Sequence, residues 1–404
     1  MIKLGECLTI KHGWAFKGEF FAESGEQSIL TPGNFYEAGG FKYNDERERY
    51  YTGEYPHEYL CKKGDLIVAM TEQAAGLLGS TAIVPKDNRY LHNQRIGLIT
   101  CDEKHITKMF AYYLFMTKSV REQISRTSSG TKVKHTSPEK IYDVEVSLPD
   151  IPTQKKIAHF LWTIDCKIRN NIRINDNLQH QLKLMYDYWF TQFDFPDENG
   201  KPYRASGGAM VWNEQLRKEI PKDWSVTTVG DITVCHDSKR IPVSNVEREK
   251  MKGNIPYYGA TGIMGYVNRA IFSGDYVLLA EDGSVMDKNG NPIIQRVSGD
   301  VWINNHAHVL QPTGKYSCRL LMMILKDIPV TNIKTGSIQL KINQKNLNSY
   351  KILNIPNNII EKINQVFIPI DQQLIAIQKE VEYLSALRDW LLPMLMNGQA
   401  TISD

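Results

Sequence analysis

The chain carries the same pattern twice, and that repeat limits its fold more than any other feature. Gly-Asp followed by an apolar β-type run occurs at 64–70, GDLIVAM, and again at 274–280, GDYVLLA. Four further features repeat around it in the same order. LGECLTI (4–10) precedes the first copy and VGDITVC (229–235) the second. YLHNQRIGLI (90–99) then matches WINNHAHVLQ (302–311), and SSGTKVKHTSPEKIYDVEVSLP (128–149) matches KTGSIQLKINQKNLNSYKILNIP (334–356). FLWTID (160–165) matches FIPID (367–371). Five features in one order describe a duplicated structural unit.

Each copy has two parts. The first is rich in Val, Ile and Tyr runs bounded by Gly, Asn, Asp and Pro, which reads as strands. The second is helical, with apolar residues alternating three and four apart. In copy one the stripe runs through Ile157, Leu161, Ile164, Ile168, Leu178, Leu182, Met185 and Trp189, with Asn171 and Asn175 in its middle slots. In copy two it runs through Ile360, Ile363, Phe367, Ile370, Leu374, Ile377, Val381, Leu384 and Leu391, with Arg388 in one slot. Seams this long meet another helix, and a buried Asn fixes register at a cost in stability. Pro369 predicts a break in the second helix, and Pro393 with Gly398 predict its end. The fold class reads as α+β: two strand-rich domains in tandem, each followed by a long helix whose stripe either packs on its own domain or pairs with the other helix as an antiparallel coiled coil. The expected boundaries are 1–151 for the first strand-rich domain and 152–193 for its helix. A Gly- and Pro-rich linker at 194–224, a second domain at 225–355 and a second helix at 356–404 follow. An arm of about 26 helical residues would span about 39 Å, close to one turn of B-DNA, about 34–36 Å.

No motif for catalysis is evident. There is no phosphate-binding GxxxxGK[ST] run and no Asn/Asp-Pro-Pro-aromatic methylation motif. GATGIMG (259–265) reads as turn chemistry. A metal-nuclease set assembled from Pro149, Asp150, Asp165 and Lys167 would straddle a strand end and a seam helix. His306 and His308 would share one face of a strand, but no third ligand at a zinc spacing is visible. The six cysteines are scattered, which fits reduced thiols and a cytoplasmic location. The first residues carry no signal-peptide pattern, and no apolar run is long enough to span a membrane. With 48 Lys+Arg against 45 Asp+Glu, the charge balance neither requires nor excludes nucleic acid.

Polar groups suited to DNA occur in both halves: Asn93, Gln94, Arg95, Lys132, Lys134 and His135 in the first, and Lys239, Arg240, Tyr257, Tyr258, Asn305, His306, Lys334, Gln339 and Lys341 in the second. Arg and Lys suit guanine and phosphate, and Asn and Gln suit adenine.

Over its whole length the chain resembles the specificity subunits of type I restriction–modification systems. The resemblance rests on GDLIVAMT, LHNQRIGLI, LPDIPTQKKIAHFLWTIDCKIRNN, GKPYRASGGAMVWNEQLRKEIPKDW, IPYYGATGIMGYV and LLPMLMNGQ. It implies two target recognition domains, each followed by a helix, with the two helices forming an antiparallel coiled coil, and no catalysis or cofactor in this chain. It also implies double-stranded DNA, two modification (methyltransferase) subunits that use S-adenosylmethionine, and restriction subunits that use ATP and Mg as partners. The competing reading is a two-headed coiled-coil scaffold that binds proteins rather than DNA.

Overall fold

The structure is a computed structural model that describes residues 1–43, 48–72, 76–130, 133–336 and 340–402. The chain forms two compact units: residues 1–170 with 381–404, and residues 171–380. Each contains a strand-rich domain and parts of both long helices, Ile151–Tyr186 and Asn357–Met396.

The duplication is visible in the sheets. In unit 1, Leu8–His12, Ile96–Cys101, Leu66–Ala69 and Thr81–Ile83 lie side by side in that order. In unit 2, Thr233–Cys235, Ala307–Pro312, Phe272–Ala280 and Ile294–Ile303 take the same order, and Ile255–Tyr258 and Ile263–Val267 extend the sheet. The flanking pairs repeat too: Ile2–Lys3 with Glu145–Val146, and Ser225–Thr228 with Lys351–Asn354. So does a parallel pairing, Ser28 with Tyr90 in unit 1 and Tyr257 with Trp302 in unit 2. The Gly of each Gly-Asp pair has positive φ, +88° at Gly64 and +130° at Gly274, which a Cβ disfavours. The Asp differs in role. Asp65 accepts the Lys62 amide at 2.8 Å, whereas Asp275 accepts from Arg296 at 2.8 Å.

The long helices close each core. In unit 1, Ile157, Ala158 and Leu161 of the first helix and Leu392, Leu395 and Met396 of the second join one cluster with Phe110, Tyr113 and Ile141. In unit 2, Leu182 and Tyr186 join Ile360, Ile363, Phe367 and Leu374. Each unit thus pairs an early segment of one helix with a late segment of the other, the antiparallel sense. Ile164, Ile168 and Ile377 are buried, Leu178, Met185 and Ile370 pack at the edge of the core, and Val381 and Leu384 are half-buried. The polar slot at Asn171 is interior and donates to Glu380 Oε2 at 2.7 Å.

Two features depart from expectation. The second long helix runs through Pro369 and Pro393 without a break and stops at Met396, ahead of Gly398 at φ +68°. A mid-helix proline costs about 3 kcal/mol. Pro369 is exposed, and Ile360, Ile363, Phe367 and Leu374 of the same helix are buried; their burial at about 1.5–3 kcal/mol per side chain outweighs that cost. The segment 194–224 is also no loose tether. It forms a hairpin of Met210–Asn213 on Lys218–Pro221, and Phe195 stacks on both Trp224 and Tyr203 at 4.8 Å.

Each domain is keyed to its helix by one buried carboxylate. Asp165 accepts from Tyr113 Oη at 2.7 Å and from Arg388 Nη1 at 3.0 Å. Burial, reinforced by Asp165, pushes the Tyr113 phenol well above its ordinary value, so it stays a donor. Asp371 accepts from Arg319 Nε at 2.8 Å and Arg296 Nε at 3.0 Å. These two aspartates end the repeated FLWTID and FIPID strings. Asp165 is therefore a structural acceptor, and the nuclease-like set has no free carboxylate there. Replacing Asp371 with Ala strands the buried Arg319 guanidinium and leaves Arg296 with Asp275 as its one carboxylate partner. We expect a loss of about 3–5 kcal/mol, read as a lower midpoint in denaturant unfolding followed by tryptophan fluorescence.

Candidate nucleic-acid interface

In both units the candidate residues gather where the Gly-Asp strand ends. In unit 1 that end, Met70–Glu72, is flanked on both sides. The Met70 amide donates to the Arg95 carbonyl at 3.0 Å, bringing in the turn that carries Asn93, Gln94 and Arg95. On the other side Lys134 and His135 pair with Glu72 and Thr71. Gln94 and Arg95 are exposed and Asn93 is half-buried, its side chain capping the Arg95 amide at 3.0 Å. Lys134 and His135 are exposed; the lysine reaches Ser125 Oγ and the imidazole Nδ1 meets Thr71 Oγ1 at 3.1 Å. Lys132 lies outside the described residues.

Unit 2 repeats the arrangement. The Glu281 amide donates to the His306 carbonyl at 2.8 Å, and the Ile342 amide donates to the Glu281 carbonyl at 2.9 Å. The turn of Asn305 and His306 and the strand of Lys341 therefore flank the strand end at Glu281–Asp282. The charges differ sharply between the two edges. Arg240 donates to Glu281 Oε2 at 2.6 Å and to the Ala307 carbonyl at 2.8 Å, and it lies 3.4 Å from Asp237. Lys341 sits 3.0 Å from Glu281, and His306 sits 2.6 Å from Asp282. Lys239, Asn305 and Lys334 are exposed.

Three sequence expectations change. Tyr257 is 2% exposed and packs on Trp302, so its ring belongs to the core. Tyr258 is half-buried at the edge of another apolar cluster. Arg240, with a side chain 13% exposed, braces the turn rather than projecting from it. Gln339 lies outside the described residues. GATGIMG does form a turn, closed by the Gly259 amide on the Gly262 carbonyl at 2.8 Å.

His306 and His308 do not converge on one point. His306 lies in the turn and His308 on the strand, buried beside Asp237 and Cys235. Those three are the one His/Cys/Asp/Glu cluster of metal-ligand size among the described residues. Its groups are already engaged with one another. His308 Nδ1 is 2.5 Å from Asp237 Oδ2, and Nε2 is 2.8 Å from the Ile342 carbonyl. Burial pushes the Cys235 thiol up to about 12, and a protonated thiol is a poor ligand.

An aromatic and basic patch beside the Gln94 turn was missed. Trp14 is 41% exposed, lies 5.3 Å from Tyr59, and accepts the Gln94 amide at 3.1 Å through its carbonyl. Lys11 sits 4.2 Å above the Tyr59 ring. Gly13 permits the approach: a Cβ there would stand 2.1 Å from the Asn93 carbonyl oxygen. The repeat held the signal, because KHGW (11–14) occupies the place of HDSK (236–239).

Among the described residues, no helix is long and apolar enough to cross a membrane. A family model described as type I restriction modification DNA specificity domain matches residues 1–180 and 221–383. The chain is 27% identical over 319 residues to the type I restriction enzyme MjaIX specificity subunit of Methanocaldococcus jannaschii, covering 74% of this chain and 70% of that one. It is 19% identical over 411 residues to the HindI specificity subunit of Haemophilus influenzae, covering 84% and 87%. The fold is similar to the crystal structure of the type I restriction–modification S subunit from M. genitalium, with TM-score 0.61, 18% identity, and coverage of 99% and 96%.

The brace and the exposed lysine beside it should separate experimentally. Arg240→Met takes one partner each from Asp237 and Glu281, which keep His308 and Lys341, in a mostly buried site, and a drop of about 3 kcal/mol is expected in chemical unfolding. Lys239→Ala should leave that midpoint within about 0.5 kcal/mol and weaken retention of duplex DNA in filter binding.

Proposed function

Because the chain belongs to the type I restriction–modification DNA specificity family, we propose that it selects the DNA sequence on which its partner subunits act. It reads a bipartite, asymmetric target, one half per unit, and carries no chemistry of its own. The observation that carries this reading is the twofold occurrence of one edge, a strand end flanked by two loops, bearing different polar groups in each copy. Arg95, Lys134 and His135 stand at the first, and the carboxylate-paired Lys341 and His306 at the second. Different donors and acceptors select different bases, so the halves of the target differ. Lys and Arg that meet phosphate add affinity without sequence preference and a steep salt dependence.

Two modification subunits dock on the long helices and supply S-adenosylmethionine chemistry, and restriction subunits supply ATP- and Mg-dependent cleavage. The exposed apolar residues on the helices suit such docking: Ile172, Ile174 and Leu184 on the first, Tyr383 and Trp390 on the second. Tyr186 and Phe190 are interior. The helices set the gap between half-sites. The protein-scaffold reading lacks a comparable observation.

Two outcomes test these statements. Methylome sequencing of cells expressing the chain with its modification partner should return a non-palindromic two-part target; a palindrome would refute the assignment of one reader per unit. Inserting 14 residues, two heptads, into each long helix at matched positions adds about 21 Å, or about six base pairs at 3.4 Å each. The same sequencing should show a longer spacer with both half-sites unchanged.

A further inference from the structure

We infer that His308 is a positioning residue, a doubly protonated clamp that holds the Lys341–Ile342 strand against the sheet of unit 2 and lets it loosen as pH rises. The inference rests on the DNA reading above for its consequence, but not for its geometry.

His308 is 1% exposed, in the middle of the candidate edge. Each of its ring nitrogens faces an acceptor. Nε2 lies 2.8 Å from the Ile342 carbonyl oxygen, which cannot donate, so Nε2 carries a proton. Nδ1 lies 2.5 Å from Asp237 Oδ2. The proton between them sits on the ring, because Asp237 has the surroundings of a carboxylate. Its Oδ1 accepts the Val309 amide at 2.9 Å, and the Arg240 guanidinium lies 3.4 Å from Oδ2. The ring is therefore an imidazolium bridging the turn at 237, the strand at 308 and the strand at 342.

The charged groups around it form one closed set. Asp237 faces it from the turn and Glu281 lies 3.8 Å from Nδ1 at the strand end. Arg240 and Lys341 face those two carboxylates from the other side. Asp282 is occupied by His306, and Cys235 beside Asp237 is an un-ionised thiol. Burial opposes the charge on His308. The Asp237 hydrogen bond and charge, the Ile342 carbonyl and Glu281 outweigh it and hold the ring above its ordinary value of 6.5.

Loss of one proton changes the sign of one contact. The ring keeps Nδ1–H on the carboxylate, its stronger partner, and turns a lone pair toward the Ile342 carbonyl. Attraction at 2.8 Å becomes repulsion. The Ile342 amide still donates to Glu281, so the strand loosens rather than leaves. A folded-state value raised above the free one means the clamp holds in full below about 6.5 and is lost as pH climbs through the raised value. Among its described residues, unit 1 has no such device. Its buried His92 is pushed by burial to about 4, and its Nε2 meets the Ile96 carbonyl at 2.8 Å, so it stays neutral over the same range.

The test uses the full chain bound to its modification partner. Amide hydrogen exchange of peptides reporting Leu340, Lys341 and Ile342 is followed from pH 6 to pH 9 and corrected for intrinsic rate. Opening should rise by up to about tenfold per pH unit between the free and clamped values of the ring. Peptides reporting the turn from His92 to Ile96 should stay flat. His308→Gln, which cannot donate on both sides, should exchange fast and without pH response. The wild-type pH series needs no variant, so misfolding of H308Q leaves the test intact. Fluorescence anisotropy with a pool of random-sequence duplexes should show affinity falling over the same range. Exchange at 340–342 that ignores pH overturns the clamp. A pH-sensitive strand with constant DNA affinity overturns its role in positioning, while the DNA reading stands. A pH-sensitive strand with no duplex bound at any pH supports the clamp and sinks the DNA reading instead.

Discussion

One buried aspartate per repeat fixes how each strand-rich domain is keyed to its helix. Asp165 and Asp371 occupy the same place in the duplicated sequence and face the same problem, a carboxylate inside a core. They solve it with different partners. Asp165 takes a phenol from its own domain and a guanidinium from the other helix. Asp371 takes two guanidiniums from its own domain. A buried carboxylate without donors costs several kcal/mol, so the domain's pose is the one that brings those donors into reach. Apolar contacts alone tolerate sliding; two directed hydrogen bonds on one carboxylate do not.

The same contrast governs the candidate edges. Both use the end of the Gly-Asp strand as a platform for two loops. The first leaves its cations and amides facing outward, beside an exposed tryptophan. The second folds Arg240 and Lys341 back onto Asp237 and Glu281. The backbone plan is thus common while the electrostatics are not.

Much of this was legible in the sequence, for reasons that can be named. Apolar periodicity is a strong signal, so the strands, the seams and the duplication all emerged from residue spacing. The heptad rule placed Ile164, Leu182 and Leu374 inside correctly. Local rules failed where tertiary packing overrode them. Pro369 reads as a break, yet the buried Phe367 and the Asp371 anchor carry the helix across it. The Gly- and Pro-rich 194–224 reads as a linker because composition is blind to the stacking of Phe195 on Trp224 and Tyr203. At the site, residue type suggested contacts for Arg240 and Tyr257, but neither burial nor a carboxylate partner forty residues away leaves a local trace. Trp14 went unnoticed because its setting depends on Gly13 meeting a distant carbonyl.

The make-up of the two units has a consequence for how the chain is built. Unit 2 is one continuous stretch, whereas unit 1 needs residues 381–404 to complete it. Leu392, Leu395 and Met396 reach the core of Phe110 and Leu161 only after the whole of unit 2 has been synthesised. On the ribosome the second-made unit can therefore finish first. The first-made unit waits, with Ile157, Leu161 and their neighbours short of a cover, for roughly two hundred residues. That interval is the chain's window of exposure to aggregation and to chaperones, and it is set by the order of residues along the chain rather than by the strength of any contact.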